Sequence, residues 1–573
     1  MLQDWRLFVP KTVTVLRQGY DLRAFRGDMI AGLTVAIVAL PLAMALAIAS
    51  GTTPERGLIT AIVAGFFISF LGGSRFQIGG PTGAFVVIVY GVIARHGYDG
   101  LLMATMIAGV MLVAAGLLRV GTWIKYIPDP VTTGFTTGIA TVITVSQIKD
   151  FFGLTAAHVP ADFLPKIQAL WDVHDTLNPT ASAVAIISLL TILLLRRVAP
   201  KIPGFLIVTV VASLATYLLH LPIETIGSKF GGVPSTLPAP SLTFWSWDKV
   251  HDILPSAFTI ALLAGVESLL SAVVADQMTG RRHRSNMELV AQGIANIASA
   301  AMAGMPATGA IARTATNIRS GAHSPVAGMM HAAFLLAFML ALAPLAYYVP
   351  LSALAAILMV VALNMAELHR FRLLLKTSGG DRAVLLLTFG LTVVVDLTVA
   401  IEVGMVLAAF IFMHRMAQLS TIEGNGTGTA GARLIEEDHD DFADNRPPYV
   451  PLPDLPKDTT VLTFRGPLFF GSTSALKDAL DQIGPQSQHY ILRFEEVPLI
   501  DTSGALAFGD FLRRAVADDA TVTVCGARDR VRNNLQQIID HGLLDKIRFA
   551  PSFEAAEEAL RKNCAVNGSG TNG

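Results

Sequence analysis

Ile78-Gly79-Gly80-Pro81-Thr82-Gly83-Ala84-Phe85 is echoed far downstream by Gly304-Met305-Pro306-Ala307-Thr308-Gly309-Ala310-Ile311, with Thr-Gly-Ala at 82–84 and again at 308–310. Both stretches lie within membrane-grade sequence. In each, Pro and Gly interrupt the apolar pattern just ahead of a short apolar run, which predicts extended backbone entering a half-length helix. Paired interruptions in the two halves of a polytopic chain point to a solute site near the midplane, where free helix N-termini face an anion. The pattern implies an anion carrier.

Composition agrees. The chain has 573 residues, 53% of them hydrophobic and only 15% charged, and this excludes a set of purely soluble domains. Charges are sparse from about Gly27 to Ser420 and dense from Glu423 onward, so a bilayer part is followed by an aqueous tail. A net charge of −1 excludes a generally basic nucleic-acid binder. The two cysteines, Cys525 and Cys564, both fall in the tail. No Cys/His spacing suggests a metal, and no metal or cofactor is expected. The first apolar run ends in no clear cleavage site and reads as a retained span.

Apolar runs begin near Ile30, Leu58, Leu101, Val131, Ala181, Phe205, Ile253, Leu289, Val326, Leu351, Ala383 and Val399. With half-helices after Pro81 and Ala307 they make about fourteen spans. The connection from Phe230 to Asp252 divides them into two sets of about seven, and an odd number per set forces an inverted repeat. Loop charge gives an independent test. Arg75; Arg119 and Lys125; Arg196, Arg197 and Lys201; Arg281, Arg282 and Arg284; and Arg370, Arg372, Lys376 and Arg382 fall on alternate connections, which places both termini in the cytoplasm. Arg281-Arg282-His283-Arg284 is read as a topogenic turn rather than a nucleic-acid patch.

Two charges interrupt the apolar spans. Glu267 sits in Ala264-Gly265-Val266-Glu267-Ser268 and Arg313 in Ala310-Ile311-Ala312-Arg313-Thr314; each costs roughly 2.5–3.5 kcal/mol at the bilayer centre unless compensated. They form either a buried structural ion pair or one polar cavity, in which a guanidinium beside a helix N-terminus traps an anion. Thr82 and Thr308 are expected to cap their helices, with ligand contact by neighbouring N–H groups left open. Asp276 and Glu288 are expected to be interfacial, Asp396 and Glu402 structural or loop-exposed, and His331 a satisfied core histidine. Ala295, Ala298, Ala301 and Ala303 suit close helix packing. No nucleotide loop and no nucleophile–base arrangement is present, so transport without catalysis is expected, driven by gradients or exchange.

The tail alternates strand-like runs, Val461–Phe464, Tyr490–Phe494 and Thr521–Cys525, with helical runs after Ser474, Ser503 and Arg530, which predicts a small α/β domain. Val497–Ile500 also reads as strand-like and leads into Asp501-Thr502-Ser503-Gly504, where Asp or Ser can cap a helix and Ser503 is a candidate regulatory phosphorylation site. The acidic run Glu436–Asp441 reads as solvated linker, with no metal assigned. The expected division is a cytoplasmic segment 1–26, a transmembrane domain 27–420, a linker 421–456, the α/β domain 457–563 and a disordered tail 564–573.

Gly80–Phe85, Gly265-Val266-Glu267-Ser268, Gly309-Ala310-Ile311-Ala312-Arg313-Thr314 and the Asp501–Gly504 tail together resemble the sulfate permease family of anion transporters, whose animal relatives include prestin and pendrin, with a STAS domain at the C-terminus. The resemblance implies a seven-plus-seven inverted repeat, a core domain moving against a gate in an elevator-like cycle, and a homodimer. It implies that substrate lies among Thr82, Gly83, Ala84, Phe85, Gly309, Ala310, Ala312 and Arg313, with Glu267 and Ser271 as the coupling-ion position. Ser503 matches the serine phosphorylated in bacterial anti-sigma-factor antagonists of the same fold. Sodium-coupled bicarbonate members carry Asp and Thr where this chain has Glu267 and Ser271, which favours a proton. The expected function is proton-coupled symport of sulfate or a related oxyanion or dicarboxylate at a bacterial inner membrane. The alternatives are sodium-coupled bicarbonate symport, a nucleobase permease of similar fold, and a membrane-tethered signalling scaffold whose STAS domain binds a cytoplasmic protein.

Overall fold

A computed structural model describes residues 7–122, 128–156, 159–199, 202–395, 397–424, 432–433, 455, 459–473, 476 and 488–568. The chain divides into two compact units, Met1–Val406 and Leu407–Gly573.

In the first unit the elements run α1 (Lys11–Arg17), α2 (Leu22–Ala49), α3 (Pro54–Leu71), β1 (Gly79–Gly80), α4 (Ala84–Leu117), α5 (Asp129–Phe152), α6 (Phe163–Asp172), α7 (Pro179–Val198), α8 (Gly204–Leu219), α9 (Ile226–Phe230), α10 (Val250–Thr279), α11 (Ser285–Ala301), β2 (Thr308–Gly309), α12 (Ile311–Arg319), α13 (Val326–Ala346), α14 (Leu351–Met365), α15 (Leu368–Leu374) and α16 (Gly379–Val394). α17 (Leu397–Gln418) runs across the boundary. Eight described helices are long and apolar enough to cross a bilayer. α4 breaks at Gly97, whose φ of 71° suits a residue without a Cβ. It therefore contributes the first half-helix and the span after it. Local chemistry sets several ends: Asp21 accepts from the Ala24 N–H, Asn178 caps α7, Pro54 opens α3, and Gly153 and Gly280 close α5 and α10 in the left-handed conformation.

Helix, helix, short strand, half-helix and helix occur in that order in both halves, β1 and β2 standing third in each. The helices sort into two bundles. α2, α3, α4, α10, α11, α12 and α13 pack on one another, while α5 packs on α7, α14 and α16. Gly109 of α4 and Gly293 of α11 lie back to back, a Cβ on either falling within 2.7 Å of the other's carbonyl oxygen. Small residues thus bring these backbones together.

In the second unit a six-stranded sheet is ordered β4-β3-β5-β6-β7-β8, where β3 is Thr421–Gly424, β4 Ala432–Arg433, β5 Thr459–Arg465, β6 His489–Glu496, β7 Thr521–Cys525 and β8 Ile547–Ala550. β5 to β8 are parallel and β3 is antiparallel to β5. Helices α18 (Thr502–Ala517), α19 (Asp529–Ile538), α20 (His541–Leu544) and α21 (Phe553–Gly568) follow the strands, and Phe464, Phe494 and Phe508 form the centre of the core. Several expectations change. β3 and β4 fall within the stretch expected as linker, and α21 continues to Gly568, inside the stretch expected as disordered tail. Val497–Ile500 forms no strand and contributes only the Leu468–Ile500 bridge, because Pro498 carries no N–H for a ladder. Lys125, Lys201, Asp396, Ser474 and the run Glu436–Asp441 lie outside the described residues.

Candidate anion site

Breaking a helix inside a bilayer strands backbone N–H and C=O groups where no water reaches them, so the two breaks must satisfy each other. They do so by pairing. β1 and β2 run antiparallel, Gly79 opposite Gly309 and Gly80 opposite Thr308, and the Ala310 N–H extends the ladder to the Ile78 carbonyl at 2.8 Å. Gly80 has φ of +147°, and a Cβ there would lie 2.6 Å from Arg313 Nη1.

α10 crosses both breaks with one polar face. The Thr82 hydroxyl donates to Glu267 Oε2 at 2.9 Å, and the Thr308 hydroxyl donates to the Ala264 carbonyl at 2.9 Å. Gln77 Nε2 donates to Ser268 Oγ at 3.0 Å, and Ser271 Oγ donates to Thr314 Oγ1 at 3.2 Å. Positions 264, 267, 268 and 271 share a face by helical spacing. Neither threonine caps its helix: the residues before α4 and α12 are Gly83 and Ala310, and no side chain closes either N-terminus. The capping expectation fails because both hydroxyls are drawn to α10.

Arg313 is buried. One terminal nitrogen donates to the Pro81 carbonyl across the crossing, and the other, Nη1, has no hydrogen-bond partner among the described residues. Among the described residues Glu267 and Arg313 stand outside ion-pair distance, so the buried-pair alternative is not what the structure contains. Of the expected site residues, Thr82, Gly83, Ala84, Phe85, Gly309, Ala310, Arg313 and Ser271 are buried, Glu267 is half-buried, and Ala312 is exposed at the start of α12, as is its neighbour Ile311, which is not among them. A Cβ on Gly83 would strike Met365 Sδ, at the end of α14. The first half-helix therefore starts against the other bundle.

α11 supplies what the sequence reading missed. Glu288, Gln292, Asn296 and Ser299 are each fully buried. Glu288 is not interfacial: its Oε2 accepts from the Gly73 and Ser74 N–H groups at 2.8 and 3.0 Å, and Oε1 accepts from Gln292. Asn296 both donates to the Ala307 carbonyl and accepts from its N–H, and Ser299 Oγ donates to the Met305 carbonyl. Near-fourfold spacing of four polar residues in an apolar span was the available signal. His331 also departs from expectation, because it is fully buried and neither ring nitrogen is hydrogen-bonded among the described residues. Asp276 meets His283 at 2.7 Å beside the basic turn, and Glu402 is exposed along α17 rather than in a loop. Arg284 Nη1 donates to the Val9 carbonyl and to Thr14, docking α1.

Comparison with known proteins follows the same lines. Residues 25–388 match the sulfate permease family model, and residues 452–556 match the STAS domain. The chain belongs to the sulfate permease family. That family is one of transporters, not enzymes, and this member is a multi-pass anion transporter with a C-terminal STAS domain. It is 39% identical over 94% of its length, and 98% of the relative's, to the Bacillus subtilis protein named "Putative sulfate transporter YvdB". The transmembrane domain of a cyanobacterial bicarbonate transporter, BicA, superimposes with a TM-score of 0.60 at 28% identity, covering 68% of this chain and 98% of that one. Murine SLC26A9, an anion transporter, shares the fold with a TM-score of 0.83 at 17% identity, covering 97% and 94%.

At the STAS domain, Asp501 rather than Ser503 caps α18, accepting from the Gly504 N–H at 2.8 Å. Asp501 Oδ2 also accepts from the Phe470 N–H at 3.0 Å. Ser503 is half-buried in the first turn.

Proposed function

We propose that this member of the sulfate permease family takes up sulfate or a related oxyanion or dicarboxylate, coupled to protons, across a bacterial inner membrane with both termini in the cytoplasm. The observation that carries this reading is the crossing of two uncapped half-helices, with Arg313 reaching from one to the other. Together, two partial positive ends and a guanidinium suit a small anion and give a neutral nucleobase little to bind. Substrate is held among Thr82, Gly83, Ala84, Phe85, Gly309, Ala310, Ala312 and Arg313, and Ile311 and Ala312 form the accessible lip.

Glu267 is the proton acceptor in this reading. It receives one hydroxyl from Thr82 and, among the described residues, has no cation within ion-pair distance, so a proton is the economical way to neutralise it inside the bilayer. Protonation changes what Glu267 asks of Thr82, which ties coupling to the first half-helix. Ser271 acts by holding α10 to Thr314. The sorting of helices into two bundles supports an elevator-like cycle, in which the bundle carrying the crossing slides against the bundle of α5, α14 and α16. A homodimer and phosphorylation of Ser503 complete the proposal.

The test is uptake by the full chain in proteoliposomes, with labelled sulfate and bicarbonate under imposed proton or sodium gradients. Proton-driven sulfate accumulation is expected. Sodium-driven bicarbonate uptake would support the second reading, which the BicA likeness favours, and the absence of all flux would leave the signalling scaffold.

A further inference from the structure

Away from the crossing, a cavity of about 410 Å³ opens between the two bundles, lined by α2, α4 and α10 on one side and α5, α6 and α16 on the other. Its volume lies within the range of small-molecule sites, roughly 300–1,000 Å³. Tyr90 and Arg95 mark its position on α4, and Tyr90 lies about 9 Å along that helix from Ala84 by helical rise. Ser146, Asp162 and Lys166 line the opposite wall.

Lys166 is only 5% exposed. Its ammonium stands over the Tyr90 ring, 4.9 Å from the centroid, and the ring is fixed by its hydroxyl, which donates to the Val159 carbonyl at 2.9 Å. No carboxylate lies within ion-pair distance of Lys166 among the described residues. Asp162, one turn earlier, raises the affinity of the amine for its proton, but burial outweighs it and pushes Lys166 below its ordinary range. Asp162 precedes α6, and no side chain caps that N-terminus. A buried cation set against an aromatic face, with its neighbouring carboxylate beyond ion-pair distance, is incompletely compensated. The positive end of α6 adds to it.

We propose that this cavity is a second anion subsite, in which Lys166 holds a small oxyanion such as sulfate before it reaches the crossing from the membrane face that carries α6. The idea rests on the transport reading above. Because the cavity lies between the two bundles, anion bound there would meet the first half-helix along Tyr90 and Val86. Asp162 sets an upper limit on affinity, since a carboxylate at the same wall repels the ligand.

The test uses the full chain in right-side-out and everted membrane vesicles with labelled sulfate. Lys166→Met is expected to raise KM about tenfold from the α6 face and to leave KM from the opposite face unchanged, which also shows that the variant is folded. Lys166→Arg should stay within about twofold of the parent. Asp162→Asn should shift KM the other way, and it remains informative if Lys166→Met does not fold. Equilibrium binding of labelled sulfate to the purified full chain reads the subsite without transport: Arg313→Ala should retain bound sulfate that Arg313→Ala with Lys166→Met loses. Binding of this kind in a chain that transports no sulfate would remove the transport reading and keep the subsite. Transport with KM and binding indifferent to both Lys166→Met and Asp162→Asn would overturn the subsite alone. A parent chain that neither binds nor moves sulfate would overturn both.

Discussion

The two broken elements share a motif but not a structure. In the first, Thr82 stands two residues before its helix begins at Ala84; in the second, Thr308 stands three before Ile311 and is itself part of the strand. The first threonine donates to a carboxylate and the second to a carbonyl. Thr82 through Phe85 are buried, whereas Ile311 and Ala312 are exposed and Arg313 reaches back to Pro81. One arm thus carries the link to a titratable group, and the other carries the cation and the accessible surface. Neither arm makes the proposed anion site alone. The pairing of Gly79–Gly80 with Thr308–Gly309 is what unites them.

Arg313→Ala tests the second arm most severely. Losing charge-assisted hydrogen bonds forfeits about 1.5–3 kcal/mol of anion binding, which predicts a rise in KM of roughly 10- to 150-fold in proteoliposome uptake. A KM unchanged by this substitution would break the assignment of the cation to the site.

Glu267→Gln tests the first arm. Glutamine still accepts from Thr82 but takes no proton. Since one pH unit corresponds to about tenfold per coupled proton, that accumulation should disappear while exchange at equal pH persists. Accumulation that survives would move coupling elsewhere.

Asn296→Leu should act on stability through the second arm. It strands the Ala307 N–H and carbonyl, each worth about 1–3 kcal/mol when buried without a partner, and thermal unfolding of the purified protein should report a matching loss.

The smallest effect is the sharpest comparison. Thr82→Val and Thr308→Val each remove one hydroxyl and about 1 kcal/mol. Only the first should shift the pH dependence of uptake, because only Thr82 touches Glu267. Equal pH profiles for the two variants would erase the distinction between the arms.

Much of this was legible in the chain. Apolar runs, alternating loop charge and two Pro/Gly interruptions determined a polytopic helical protein with two half-helices, because bilayer thickness and backbone hydrogen bonding allow few other readings. Glu267 and Arg313 stood out for the cost of charge in apolar spans. What the tertiary structure alone decided was partnership. Whether Thr82 caps a helix or meets a carboxylate, whether Glu288 faces an interface or the Gly73–Ser74 N–H groups, and whether Glu267 pairs with Arg313 all depend on which elements lie side by side. His331 and Lys166 show the same limit, since burial without a hydrogen-bonding or ion-pairing partner among the described residues is a property of the neighbours. One-dimensional spacing records which face of a helix is polar, and packing in three dimensions determines what that face meets.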